Sequence, residues 1–299
     1  MKKFLVVATL LFSLIQPISS FGLISGLIGR VVARNRVDNT CCGDSGVVFE
    51  DGDDLKTAAE KVTKLRPVRP FWRNYYGPIN CWDVSAVTNM TETFHRLALF
   101  NESLSCWDTG SVTTMSGMFR GAVTFSQDIS MWNMTSVEDI SDMFFGAASF
   151  DADLTSWDVG SVTDMTGTFA GALRFNSDIS TWNVGAVTNM TNMFTTAFAF
   201  NSDISNWNMA SVKDMSDMFL LALSFNQPIS NWDVSSVTDM GGLFAFASSM
   251  SMPLDGWDVS GVINMRGMFA ATFAWNNSIG ISDWDVSNVM DMSGMFAAA

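Results

Sequence analysis

The chain has 299 residues, 48% of them hydrophobic and only 15% charged, with 30 acidic against 16 basic side chains. That length suits one large domain or two small ones, and the apolar share supports a sizeable core. A net charge of −14 argues against a nucleic-acid partner, because phosphate binding needs a basic footprint.

Residues 1–20 read as a secretory signal peptide. Lys2 and Lys3 form a basic start, Phe4 to Ile15 an apolar run, and Ser19 and Ser20 a small-residue cleavage region. The run is short for a membrane span, and no second run is long enough. No cysteine directly follows it to take a bacterial lipid anchor. The expectation is a secreted or extracellular-surface protein with no transmembrane span after cleavage.

Residues 21–46 are Gly-rich, then basic, and read as a loose leader. Residues 47–78 read as a capping segment: "VVFEDGDDLKTAAEKVTKLR" predicts a turn and an amphipathic helix capped by Asp53 or Asp54. Charge is uneven along the chain. Residues 82–299 hold 5 basic and 23 acidic side chains (5 − 23 = −18), so the acidity lies there.

Residues 79–299 form nine units marked by Trp82, Trp107, Trp132, Trp157, Trp182, Trp207, Trp232, Trp257 and Trp284. The step is 25 residues, except the last, which is 27. A propeller blade needs about 40 residues, whereas 20–29 is the range of leucine-rich-repeat coils. Positions below are counted from each Trp. Ile or Leu at −3, the Trp, and Val or Met at +2 predict a short strand with the Trp on its inner face. Val at +5, Met at +8 and +11, Phe at +12 and Ala at +15 have helical spacing. The predicted fold class is therefore an α/β solenoid: a right-handed coil, similar to leucine-rich repeats, with one short parallel strand and one short helix per repeat. The tryptophans and methionines are core residues on this reading. The ninth unit stops at position +15. A truncated product fits this, and so does an open end that self-associates end to end.

The best candidate binding surface is the outward face of the expected sheet. Position +1 is always Asp or Asn: Asp83, Asp108, Asn133, Asp158, Asn183, Asn208, Asp233, Asp258 and Asp285. In register these form a ladder with a rung about every 4.8 Å. One reading is a strip for cationic groups, Ca²⁺ or glycans; the other is a set of Asx turns serving the fold. A second column at +7, with Asp164, Asp214 and Asp239, suits helix capping. "FDADL" and the turns Asn176–Asp178 and Asn201–Asp203 offer oxygens, but no EF-hand loop or Gly-rich nonapeptide is present. No cofactor and no metal site are expected.

Cys41, Cys42, Cys81 and Cys106 are an even set in an exported chain, which suggests two disulfides with three possible connectivities. Cys81 and Cys106 both occupy −1 and in-register strands would bring them within bridging range. Cys41 and Cys42 are the alternative partners. Sequons at Asn89, Asn101, Asn133, Asn189 and Asn276 are glycosylation candidates. His95, the single histidine, reads as a surface residue, and no nucleophile–base, metal-ligand or phosphate-loop spacing points to an enzyme.

The unit "WDVSSVTDM…MF…FN" resembles the 25-residue repeat of BspA-like leucine-rich-repeat surface proteins, found also in mycoplasma surface lipoproteins and in exported algal and microbial proteins. "YYGPINCWDVSAVTNM" resembles the usual lead-in to the first repeat. The resemblance covers residues 79–299 and implies an exported or cell-surface place and a part in adhesion or protein interaction. It brings no catalytic residues. This chain departs from the pattern in lacking a lipid-anchor cysteine. The expected function is a non-enzymatic secreted or surface scaffold that binds protein or glycan. The alternative is an acidic structural array of a cell wall, matrix or mineral.

Overall fold

The computed structural model describes residues 47–64, 69–274 and 280–299. The signal peptide, the leader, Cys41, Cys42 and the sequon at Asn276 lie outside them.

The chain enters through a cap. Helix α1, Gly52–Lys64, buries Leu55, Ala58, Ala59 and Val62, an i, i+3, i+4, i+7 stripe. Its N-terminal cap is Asp51, not Asp53 or Asp54: the N–H of Asp53 donates to Asp51 Oδ1 at 2.6 Å. Asp53 and Asp54 sit one step further in, in the first turn, where negative charge meets the positive end of the helix dipole. Helix α2, Arg69–Tyr76, follows, and a single 3-10 turn spans Ile79–Cys81. Val48 pairs in parallel with Asp83. Phe49 and Tyr76 lie 5.0 and 5.9 Å from the Trp82 ring, so the first apolar face of the array is covered by aromatics. Gly52 makes the close approach possible, because a Cβ there would lie 1.9 Å from the Asn89 carbonyl oxygen.

From Trp82 onward, successive 25-residue coils stack on one another. Equivalent residues at +7 pair in parallel from Asn89 through Thr114, Asp139, Asp164, Asn189, Asp214, Asp239 and Asn264 to Asp291. Each link is an isolated bridge. The expected strand and helix in every coil are absent among the described residues: helix is confined to the segment before Trp82, and no strand forms. The α/β solenoid assignment is thereby overturned, for two physical reasons.

Around the tryptophan the chain makes tight turns instead of extending. In the second coil the N–H of Trp107 bonds back to Leu104 at 3.1 Å, and that of Val112 to Thr109 at 3.0 Å. From +8 to +15 the N–H groups split. Those of Met90, Glu92, Phe94 and Arg96 donate to the Thr114, Ser116, Met118 and Arg120 carbonyls of the next coil, at 2.7–2.9 Å. Those of Thr93, His95 and Leu97 turn back on Met90, Glu92 and Phe94. A helix must direct every N–H four residues back, so this alternation excludes one. Positions +10 and +14 are also left-handed in coil after coil, as at Gly167 and Gly171 (φ +59° and +72°) or Asp217 and Leu221 (φ +55° and +60°). Overlapping turns thus mimic the apolar spacing of a helix.

The core is a set of aromatic columns. Trp82 to Trp257 are all at most 4% exposed. Neighbouring indoles stack at 6.3–6.5 Å, as between Trp82 and Trp107, Trp182 and Trp207, or Trp232 and Trp257. A second column, at +12, runs Phe94, Phe119, Phe144, Phe169, Phe194, Phe219, Phe244, Phe269 at 5.4–5.8 Å. A third, at +18, sits against the second at 3.8 Å within a coil, as between Phe194 and Phe200. From Trp107 onward each indole N–H also crosses to the coil before, as from Trp232 to the Ile204 carbonyl at 3.0 Å and from Trp257 to Ile229 at 2.8 Å, while that of Trp82 reaches the Tyr76 carbonyl of the cap.

Candidate functional site

All nine Asp and Asn side chains of the +1 column are exposed. They do not lie on a sheet, since the column of bridges is at +7. Each +1 side chain accepts the N–H two residues on, as Asp83 does from Ser85, Asp158 from Gly160, Asn183 from Gly185 and Asp285 from Ser287, at 3.0–3.2 Å. The same turn holds at Asp108, Asn133, Asn208, Asp233 and Asp258. The Ser235 hydroxyl adds a bond to Asp233 at 2.6 Å. That hydroxyl, then the backbone N–H, holds Asp233 below the usual carboxylate range, and Asp83 is lowered in the same way by Ser85. Asp285 is lowered by the Ser287 backbone N–H and then its hydroxyl. These carboxylates stay ionised on exposed residues.

Hydroxyl columns flank the carboxylates. Ser136, Ser161 and Ser211 at +4 donate to the +3 carbonyls of the coil before. Thr113, Thr163, Thr188 and Thr238 at +6 are exposed and donate to the preceding +6 carbonyl at 3.2–3.3 Å. Glu138 and Lys213 interrupt that row. The coil-to-coil carbonyls are thereby satisfied, and an in-register polar strip results.

The +7 side chains cap the turn after them: Asp164 accepts from Thr166, Asp214 from Ser216 and Asp239 from Gly241, each at 2.8 Å. They start no helix. The oxygens considered for calcium are divided between two other uses. Asp153, Asp178 and Asp203 close turns onto Thr155, Ser180 and Ser205. Asp151, Asn176 and Asn201 accept the backbone N–H of Asn176, Asn201 and Asn226 in the next coil, at 2.7–2.9 Å. The sequence reading missed this second use, whose only signal is the recurrence of Asn or Asp one residue after the +18 aromatic. Among the described residues no group of three or more His, Cys, Asp or Glu is arranged to hold a metal ion.

Of the sequon asparagines, Asn89, Asn133 and Asn189 accept from Thr91, Thr135 and Thr191 within their own turns, and Asn101 accepts from Ser126 of the next coil. Neither Cys81 nor Cys106 is a free thiol. His95 lies 3.4 Å from Glu92 through Nδ1, while Nε2 is buried with no hydrogen-bond partner. Burial holds the imidazole below its ordinary range, against the pull of Glu92. No described helix is long and apolar enough to cross a membrane.

With the geometry in place, comparison with known proteins gives a family match. The model of a family described as "Mycoplasma protein of unknown function, DUF285" fits residues 63–178, 127–222, 148–256 and 202–299, together 63–299. The chain belongs to this family. Its overlapping matches track the repetition that stacks the coils, so the family is one of repeat proteins. No curated protein matches the chain.

Proposed function

We propose that this DUF285 member is a non-enzymatic, secreted or cell-surface scaffold that binds a protein or a glycan. The binding surface is the polar strip of +1 carboxylates and amides, +4 serines and +6 threonines. The observation that carries the reading is the repetition of that strip, in register, over coil after coil. A ladder of ionised, solvent-facing carboxylates beside hydroxyls suits hydroxyl-rich or cationic ligands of repeating structure. Such ligands gain from many weak contacts held at fixed spacing. The resemblance to BspA-like surface proteins and the signal-like residues 1–20 support an exported location.

The test is a glycan and protein-ligand array probed with the secreted chain, with and without EDTA and at high salt. A discrete hit that survives salt and is lost in Asp158→Ala and Asp233→Ala supports the scaffold. Adhesion that falls with salt in proportion to total charge supports instead the acidic structural array. A ligand hit indifferent to both substitutions removes the strip from consideration.

A further inference from the structure

Four sequon asparagines lie among the described residues: Asn89, Asn101, Asn133 and Asn189. An N-linked sugar is attached to Nδ2, so a folded chain that bears one has to leave that nitrogen unengaged. Among the described residues, the asparagines whose Nδ2 donates a hydrogen bond are Asn80, Asn264 and Asn288, and all three lie outside sequons. The four sequon asparagines bond through Oδ1 alone.

Their surroundings separate them. The Asn133 Nδ2 lies against the preceding coil, where a Cβ on Gly110 would stand 3.3 Å from it. Asn189 is half-buried and bridges to Asp164 on one side and Asp214 on the other. At the equivalent place in coil eight, the Asn264 Nδ2 turns back to the Asp239 carboxylate at 2.9 and 3.0 Å. The Asn89 side chain starts beside α1, its Cβ 3.7 Å from where a Cβ on Gly52 would stand.

Asn101 has none of these obstructions. It is exposed and occupies +19 of the first coil. Its Oδ1 accepts the Ser126 N–H of the next coil at 3.0 Å, and its Nδ2 makes no hydrogen bond among the described residues. Asn176, Asn201 and Asn226, at the same position, also bond forward through Oδ1 alone. Replacing one Nδ2 hydrogen by a sugar leaves that acceptor in place, so the coil-to-coil bond survives the modification.

We propose that Asn101 carries an N-linked glycan and that Asn133 stays bare, which keeps the polar strip uncovered. The inference rests on the exported location proposed above, because the sugar donor, a polyprenyl-diphosphate-linked oligosaccharide, acts in the secretory compartment. Nδ2 forms a bond to the anomeric carbon and gives up one proton. The bond from that carbon to the diphosphate oxygen breaks, and the diphosphate leaves with the electron pair.

The test is expression of the whole chain, residues 1–20 included, in a eukaryotic cell line. The secreted chain is treated with peptide-N-glycosidase in heavy-oxygen water and its peptides are weighed. That enzyme leaves an aspartate, an acceptor that does the same work at Asp151, so the treated chain stays folded. The expected result is a heavy-oxygen label on the peptide that holds Asn101 and none on the peptide that holds Asn133. Asn101→Asp and Ser103→Ala each abolish the label and remove one glycan's mass from the intact chain, with an unchanged circular dichroism spectrum. Ser103→Ala does so without touching the Asn101 acceptor. A secreted chain unlabelled at Asn101 overturns the inference and leaves the exported location standing. A label at Asn133 overturns it as well. A chain that stays in the cytosol overturns the location and the inference with it.

Discussion

The indole N–H of Trp232 donates to the Ile204 carbonyl of the preceding coil at 3.0 Å, and both residues are buried. The tryptophan is thus a hydrogen-bonded latch as well as an apolar filler. Trp232→Phe keeps a ring but leaves that carbonyl only its bond from the Trp207 N–H, and losing one hydrogen bond costs about 0.5–1.5 kcal/mol beyond the loss of buried surface. Trp284→Phe is expected to cost less, because Trp284 is only partly buried and its bond to Leu254 is 3.4 Å. Urea unfolding of the two variants checks the order. Equal midpoints would refute the latch.

The cap depends on Gly52. Its missing Cβ would meet the Asn89 oxygen at 1.9 Å, and a carbonyl of the first coil has little room to yield. Gly52→Ala is expected to lift α1 from the array. Hydrogen exchange would then rise in α1 and the first coil, while the fifth and sixth coils keep their protection. Uniform loss of protection would mean that the coils unfold as one unit.

The ladder at Asn176, Asn201 and Asn226 needs an acceptor, not an amide, since Asp151 performs the same task. Asn201→Asp is therefore expected to be nearly neutral, whereas Asn201→Ala leaves the Asn226 N–H without its partner at a cost of about 1–2 kcal/mol. Thermal midpoints of the two variants decide the point.

Acid weakens the first coil in two stages. The folded-state pKa of His95 is lowered, by burial first, from an ordinary 6.5. Between those values the unfolded chain binds more protons, so stability is full above about 6.5 and falls as pH drops toward the lowered value. Glu92 is lowered from 4.5 mainly by its hydrogen bond from Lys56, 2.9 Å away. Its contribution is present above 4.5 and lost as pH falls through the lowered value. His95→Phe is expected to erase the upper stage alone. Stability curves against pH that keep both stages would contradict this.

The period, the buried tryptophans and the cap helix over 52–64 were legible in the residues because each follows from apolar patterning. The path of the chain between Trp markers was not. Positions +5, +8, +11, +12 and +15 have the spacing of a helix face, and a run of overlapping turns produces the same spacing. The distinguishing signal lay in the second and fourth coils. There Gly117 and Gly121, and again Gly167 and Gly171, mark the two left-handed positions. Other coils hide that signal at one or both positions with Glu, Asp, Asn, Arg, Thr, Ala, Leu or Phe. The polar strip was half legible: its exposed +1 residues are as read, but the bridges that set its register lie six residues further on.

Coil after coil donates its +8, +10, +12 and +14 N–H groups forward and its indole and +6 N–H groups backward, to equivalent atoms of a neighbour. A gene for such a chain can therefore gain or lose whole 25-residue steps by unequal recombination without any junction meeting an unfamiliar partner. A one-residue slip inside the turn run has no such freedom, since it would misalign every donor after it. The reach of the molecule is thus open to inheritance in discrete increments, while its cross-section is held fixed.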